Sequence, residues 1–257
     1  MSSIQGGMAG LNSVMYFGKS KKVKASRDKK GEIVLKVEKF IPDRLMKWKQ
    51  KIEKIPFLRG IWMMVRTVLM NWKAYLGILL IFMLPKVTGG KVDVFNNAQA
   101  NGFLQKVLAI FPEQVQHIVV FGSFFLLFAL IVKLTPLGKY HGAEHMVDNA
   151  YAASRNLSTE NVMQYTRIHK NCGTNLVVFI FLFYSVLYLM FGGLLAVLLA
   201  FLLGYEVFIL RNKTVNKLLK PIYLVGYACQ YLLFTSQPSE QHIEVAVAAY
   251  DGVLSGN

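Results

Sequence analysis

Acidic residues are scarce in this chain: fourteen stand against 29 lysines and arginines, leaving a formal charge of +15. Such an imbalance points to an anionic partner, either nucleic acid or a membrane surface. No nucleic-acid fold signature occurs, so the membrane surface is the better reading and no nucleic-acid partner is expected. The densest basic stretch, Lys19 to Lys54, holds fourteen basic and five acidic residues and directly precedes the first apolar segment. Residues 19–54 are therefore expected to meet anionic lipid headgroups, or simply to fix topology by the positive-inside rule. Cysteine is rarer still, and Cys172 and Cys229 alone make no disulfide framework. The first twenty residues lack a continuous apolar core, so a cleavable signal peptide is not expected and insertion falls to internal spans.

Apolar residues are abundant. They make up 54% of the 257 residues and set a mean hydropathy of +0.40, too high for an ordinary soluble domain. Ile118 to Val132 reads as a span stopped by Lys133 and Pro136. Leu176 to Leu210 continues for 35 residues. As one straight helix it would reach ~52 Å, well beyond a ~30 Å hydrocarbon core. A break at Phe191-Gly192-Gly193 would divide it into two short spans. Pro56 opens a further helix toward about Leu84, of which only Ala74 to Leu84 is free of charge. The segment 60–85 either spans the membrane or re-enters it.

The expected fold is thus an α-helical integral membrane protein with about four membrane-embedded helices and both termini cytosolic. Loop charge agrees: 86–116 carries three lysines beside Asp93 and Glu113, whereas 135–175 and 211–220 hold four basic residues each. The β-branched run Glu32 to Glu38 suggests a strand that pairs with residues 12–18 as a small N-terminal β element, with Lys19 to Lys30 as a turn. From Asp43 to Lys54 basic and apolar residues mix at helical spacing, a pattern suited to the bilayer surface or to ordinary packing. The chain divides into a basic cytosolic segment 1–55, a membrane domain 56–220 that includes a cytosolic loop 135–175, and a cytosolic segment 221–257.

His141-Gly142-Ala143-Glu144-His145 carries the chemistry. Residues four apart share a helix face, so two imidazoles can bind one metal ion together. Glu144 is placed to take a proton from water at that ion, the H-x-x-E-H pattern of inverzincin metallohydrolases. Only five histidines occur in the chain, and His169 follows with Cys172 close behind. His169, Cys172 and Glu206 are the candidates for a third ligand. Glu206 interrupts an apolar span, where a lone charge is costly, so it needs a metal, a water-filled cavity or a base such as Arg211 or Lys213. Asp148 either orients a ligating histidine or is a solvated helix acid. His242 and Glu244 carry no geometry in the sequence, and His117 reads as an interface residue.

Tyr140 to His145, Leu157 to Val162, His169 with Cys172-Gly173-Thr174, Gly204-Tyr205-Glu206 and the stretch Thr235 to Ala248 together resemble the YqhQ-like family. Gly6-Gly7 and Pro56-Phe57-Leu58-Arg59-Gly60 match its earlier motifs. The chain departs from that pattern at Met146, where a basic residue is expected, and at Lys170-Asn171, where Pro-Arg is. The resemblance implies a multi-pass protein of the bacterial cytoplasmic membrane and a metal-dependent enzyme, with no reaction attached.

Two functions follow from these residues. One is a membrane-embedded hydrolase at the cytosolic membrane face, in which zinc or another divalent transition metal is held by His141, His145 and His169 or Cys172, with Glu144 as the base. The other is a non-enzymatic scaffold, or a component of a transport or assembly complex, in which the cluster is structural. Three protein ligands leave a position open for chemistry, whereas four close it. A homo-oligomer or a larger membrane complex is compatible with either.

Overall fold

The computed structural model describes residues 4–39, 51–70, 72, 73, 76, 109–210 and 212–255. The bilayer-surface pattern at residues 43–50, most of the loop 86–116, Arg211 and the question of whether 60–85 spans lie outside the described residues. In chain order the elements are strands β1 (Gly6–Ala9), β2 (Ser13–Phe17), β3 (Lys21–Arg27) and β4 (Ile33–Lys39). Helices α1 (Leu58–Met70), α2 (Glu113–Leu134), α3 (Pro136–Ser154), α4 (Thr159–Val162), α5 (Gly173–Phe191) and α6 (Gly193–Ile209) follow. They are succeeded by α7 (Lys213–Leu218), α8 (Lys220–Cys229), a π-helical turn (Gln230–Phe234) and α9 (Glu240–Leu254). The chain is mostly helical, with a small N-terminal sheet. It forms two compact units: Met1–Arg44 with Phe124–Phe179 and Leu210–Asn257, and Leu45–Ser123 with Ile180–Ile209.

In the first unit the sheet is an antiparallel meander in the order β1-β2-β3-β4. This corrects the expected hairpin, because β2 pairs with β1 and β3, and Lys21–Arg27 is a strand rather than a turn. Its lysines hide the period. Val23 and Ala25 point inward and are fully buried, while Lys24 between them is exposed. Val14 and Tyr16 of β2 lie on the same inner face. Against it pack Ala143, Met146, Val147 and Ala150 of α3 and Ile243, Ala246, Ala249, Tyr250 and Val253 of α9. The Tyr16 and Tyr250 rings meet edge-on at 4.8 Å. The Tyr16 hydroxyl, buried with its ring, donates to the Glu144 carbonyl at 2.9 Å. The loop expected at 135–175 therefore contains a helix of 19 residues built into a core.

Two glycines of α3 allow a second chain segment to cross it. Ser236 N–H donates to the Gly138 carbonyl (2.8 Å), and a Cβ added at Gly142 would lie 2.5 Å from the Ser236 carbonyl oxygen. Pro136 opens α3 at its first turn, and Arg155 closes it in a left-handed conformation (φ 55°).

In the second unit α5 and α6 are separated at Gly192 and Gly193, whose φ angles of 65° and 64° favour glycine. The break falls where the sequence places it. Gly204 of α6 lies against the Ile180 backbone, and Gly60 of α1 against Leu202 and Tyr205. Glu206 accepts from the Phe57 backbone N–H (2.8 Å) and forms an ion pair with Arg59. Two stretches that carry the family resemblance, 56–60 and 204–206, thus meet each other. His117 packs on Tyr188 at 5.2 Å between ring centroids.

Val115–Leu134 and Gly173–Phe191 are long and apolar enough to cross a membrane, and Gly193–Ile209 is a shorter apolar helix. Only 11% and 17% of the two longer stretches is buried within the chain, whereas the core helix of a soluble domain would be mostly covered.

Candidate metal centre

Helical spacing brings the two imidazoles of α3 together, with ring centroids 4.4 Å apart. Cys172, in the turn before α5, completes a group: a ligand atom from each of His141, His145 and Cys172 lies within 4.8 Å of the others. The Cys172 Sγ stands 3.4 Å from His141 Nε2.

Backbone carbonyls orient both rings. His141 Nδ1 pairs with the Phe234 carbonyl at 3.0 Å and His145 Nδ1 with the Arg167 carbonyl at 2.7 Å. A carbonyl can only accept, so each Nδ1 carries the proton and each Nε2 keeps its lone pair for a metal. Burial lowers the pKa of His141 and, more strongly, of His145, where His141 adds to the effect. Both imidazoles are neutral, as ligands must be. Burial pushes the Cys172 thiol up to about 11, so a cation would have to displace its proton. Two neutral imidazoles and a sulfur form a donor set suited to zinc.

The segment that presents Arg167 and Cys172 is itself tied down. Asn149 donates to the Thr166 and Ile168 carbonyls (2.8 and 2.9 Å), Gln230 accepts from His169 N–H (2.9 Å), and Asn175 donates to the Lys170 carbonyl (2.7 Å). Sequence reasoning missed these amides. Asn149 was open to discovery, since it continues the His141 and His145 face one turn on.

The other sequence candidates divide. His169 lines the same cavity, its ring 5.5 Å from that of His145, but it is not in the close group. Glu144 and Asp148 line the cavity without joining the group. Burial, then Asp148, raises Glu144 to about 8, and burial raises Asp148 to about 7. A dication beside Glu144 would favour its ionised form. Glu206 is engaged by Arg59. His242 packs on Tyr140 with its ring tilted and bonds Ser239, and Glu244 pairs with Arg27. The cavity has a volume of about 780 Å³ and is lined by the His-His-Cys group and Glu144 together with the apolar Phe125, Phe128, Val132 and Leu137.

The fold and site define a mostly helical protein with a small antiparallel sheet, two helices able to cross a membrane and a buried His-His-Cys group able to hold a metal ion. The chain belongs to the family described as "Protein of unknown function (DUF1385)", whose model matches residues 58–256. It is similar to the uncharacterized protein YqhQ of Bacillus subtilis (strain 168), with 26% identity over 97% of this chain and 92% of that protein. No solved structure matches the chain.

Proposed function

We propose that the chain is a membrane-embedded metal-dependent hydrolase whose site faces the cytosol. The observation that carries this reading is a close group of three ligands, with His169 outside it, on a cavity that Glu144 also lines. Three ligands leave a coordination position for chemistry. Zinc bound there would supply Lewis acidity, acidifying water and polarising a carbonyl. His141, His145 and Cys172 hold the cation, and the Phe234 and Arg167 carbonyls keep the rings aimed. Glu144 takes a proton from the attacking water as its oxygen bonds to the carbonyl carbon. It returns that proton to the leaving atom as the old bond breaks.

In this reading the apolar helices α2, α5 and α6, with the helix that begins near Pro56, would make the chain multi-pass in the bacterial cytoplasmic membrane, and the loop charges would place both termini in the cytosol. The basic residues of 19–54 would lie toward anionic headgroups.

The test combines metal content with complementation of a deletion strain. Wild type is expected to carry about one zinc per chain, and the His141→Ala, His145→Ala double variant none. Glu144→Gln should keep the ion and lose ~10²–10⁴-fold in rate. A Glu144→Gln protein that holds its metal and fully complements would leave a structural cluster in place of an enzyme.

A further inference from the structure

Strand β1 is an edge of the sheet, and every residue from Ile4 to Ala9 lines the cavity of the His-His-Cys group. The ladder fixes which way its backbone points. Gly10 N–H donates to the Ser13 carbonyl at 2.8 Å, which in the register Gly6↔Phe17, Gly7↔Tyr16, Met8↔Met15 and Ala9↔Val14 makes residues 6, 8 and 10 the ones bonded to β2. The N–H and C=O of Gly7 and Ala9 therefore point away from the sheet, about 7 Å apart. Among the described residues these groups have no backbone partner.

The two edges of the sheet differ. The β4 edge carries Lys36, Glu38 and Lys39, with Glu38 held by Lys22 and Lys36. Charges of that kind blunt an edge against further pairing. The β1 edge, Gly6-Gly7-Met8-Ala9, has no charge, and Met8 carries its one long side chain, so another backbone can approach it at Gly7 and Ala9. The same cavity is lined by the apolar side chains of Phe125, Phe128, Val132, Leu137, Val177 and Phe234.

We propose that the substrate is an extended, apolar polypeptide segment that adds to β1 as a further strand, which brings one of its peptide carbonyls to the His-His-Cys group. The assignment deepens the hydrolase reading and rests on it. A lipid chain would cover the aromatic wall but leave the outward groups of Gly7 and Ala9 without partners. A polypeptide satisfies both, through its main chain on one side and alternate side chains on the other. Hydrolysis then breaks a C–N bond. The water oxygen becomes part of the new carboxyl group, and the proton passes through Glu144 to the leaving nitrogen.

Ala9→Pro tests this. It removes one outward N–H and no bond of the β1–β2 ladder. The probe is a degenerate library of ten-residue apolar peptides, retained on zinc-loaded full-length Glu144→Gln protein in nanodiscs and quantified by mass spectrometry. Adding Ala9→Pro should lower the retained amount about tenfold or more, with metal content and melting temperature unchanged. The same library N-methylated at every residue should be retained as poorly on the parent. No retention of the unmodified library, or equal retention by both proteins, overturns the proposal. If wild type cleaves acyl-lipid esters and Ala9→Pro leaves that rate intact, the peptide assignment fails while the hydrolase reading stands. If peptides are held through β1 but wild type cuts none, the hydrolase reading fails instead, and the polypeptide proposal falls with it as a statement about substrate.

Discussion

Gly7 lies against the carboxylate of Glu144, so close that a Cβ at position 7 would fall on Oε1. The same Cβ would come within 2.8 Å of the Tyr16 ring. Gly7→Ala is therefore expected to displace the carboxylate and overpack the sheet, lowering stability by roughly 1–3 kcal/mol. Metal content should be unchanged, because Glu144 lies outside the ligand group, while complementation falls. Elemental analysis beside a complementation assay checks this, and an active Gly7→Ala protein would contradict it.

Asp148 gives stability a pH dependence of defined sign. Burial holds its carboxyl at about 7 in the fold, against an ordinary value of 3.8. Between those values the folded chain keeps a proton that the unfolded chain loses, so stability falls as pH rises through the window. Asp148→Asn removes that loss. In chelator-treated protein the melting temperature of Asp148→Asn relative to wild type should rise from pH 5 to pH 8. A constant difference would mean that Asp148 is solvated.

Arg59 and Glu206 are both largely covered, with side chains 22% and 12% exposed. Removing one leaves a desolvated charge, whereas removing both does not. Arg59→Met or Glu206→Met alone should lower the amount of protein recovered from membranes more than the double variant does. Additive losses would show that the pair is not coupled.

The proposed topology places the C-terminal region in the cytosol. A reporter fused there should be active if it works only in the cytosol and silent if it works only outside. The reverse pattern would remove the four-span arrangement.

Much of this site is legible in the sequence because it is local. His141, Glu144 and His145 declare themselves through i, i+3 and i+4 spacing, and Gly192-Gly193 through the length of the apolar run it interrupts. What could not be read is long-range or carried by the main chain. The atoms that orient the histidines belong to Phe234 and Arg167, and any residue there except one that bends the chain would offer the same carbonyl. Strand β3 is hidden because lysines occupy its outer face, so charge masks the alternation of Val23 and Ala25. The partner of Glu206 is Arg59, 147 positions away, where local reasoning looks first to Arg211 and Lys213.

The Phe234 carbonyl reaches His141 across 93 positions of chain. On the ribosome the histidine pair therefore emerges well before the atom that selects its tautomer, and before α9, which closes the core over α3. A nascent chain displays the H-x-x-E-H motif without a finished coordination sphere. A metal ion held by this group would in this way be acquired only after residue 234 has been made and has folded back onto α3.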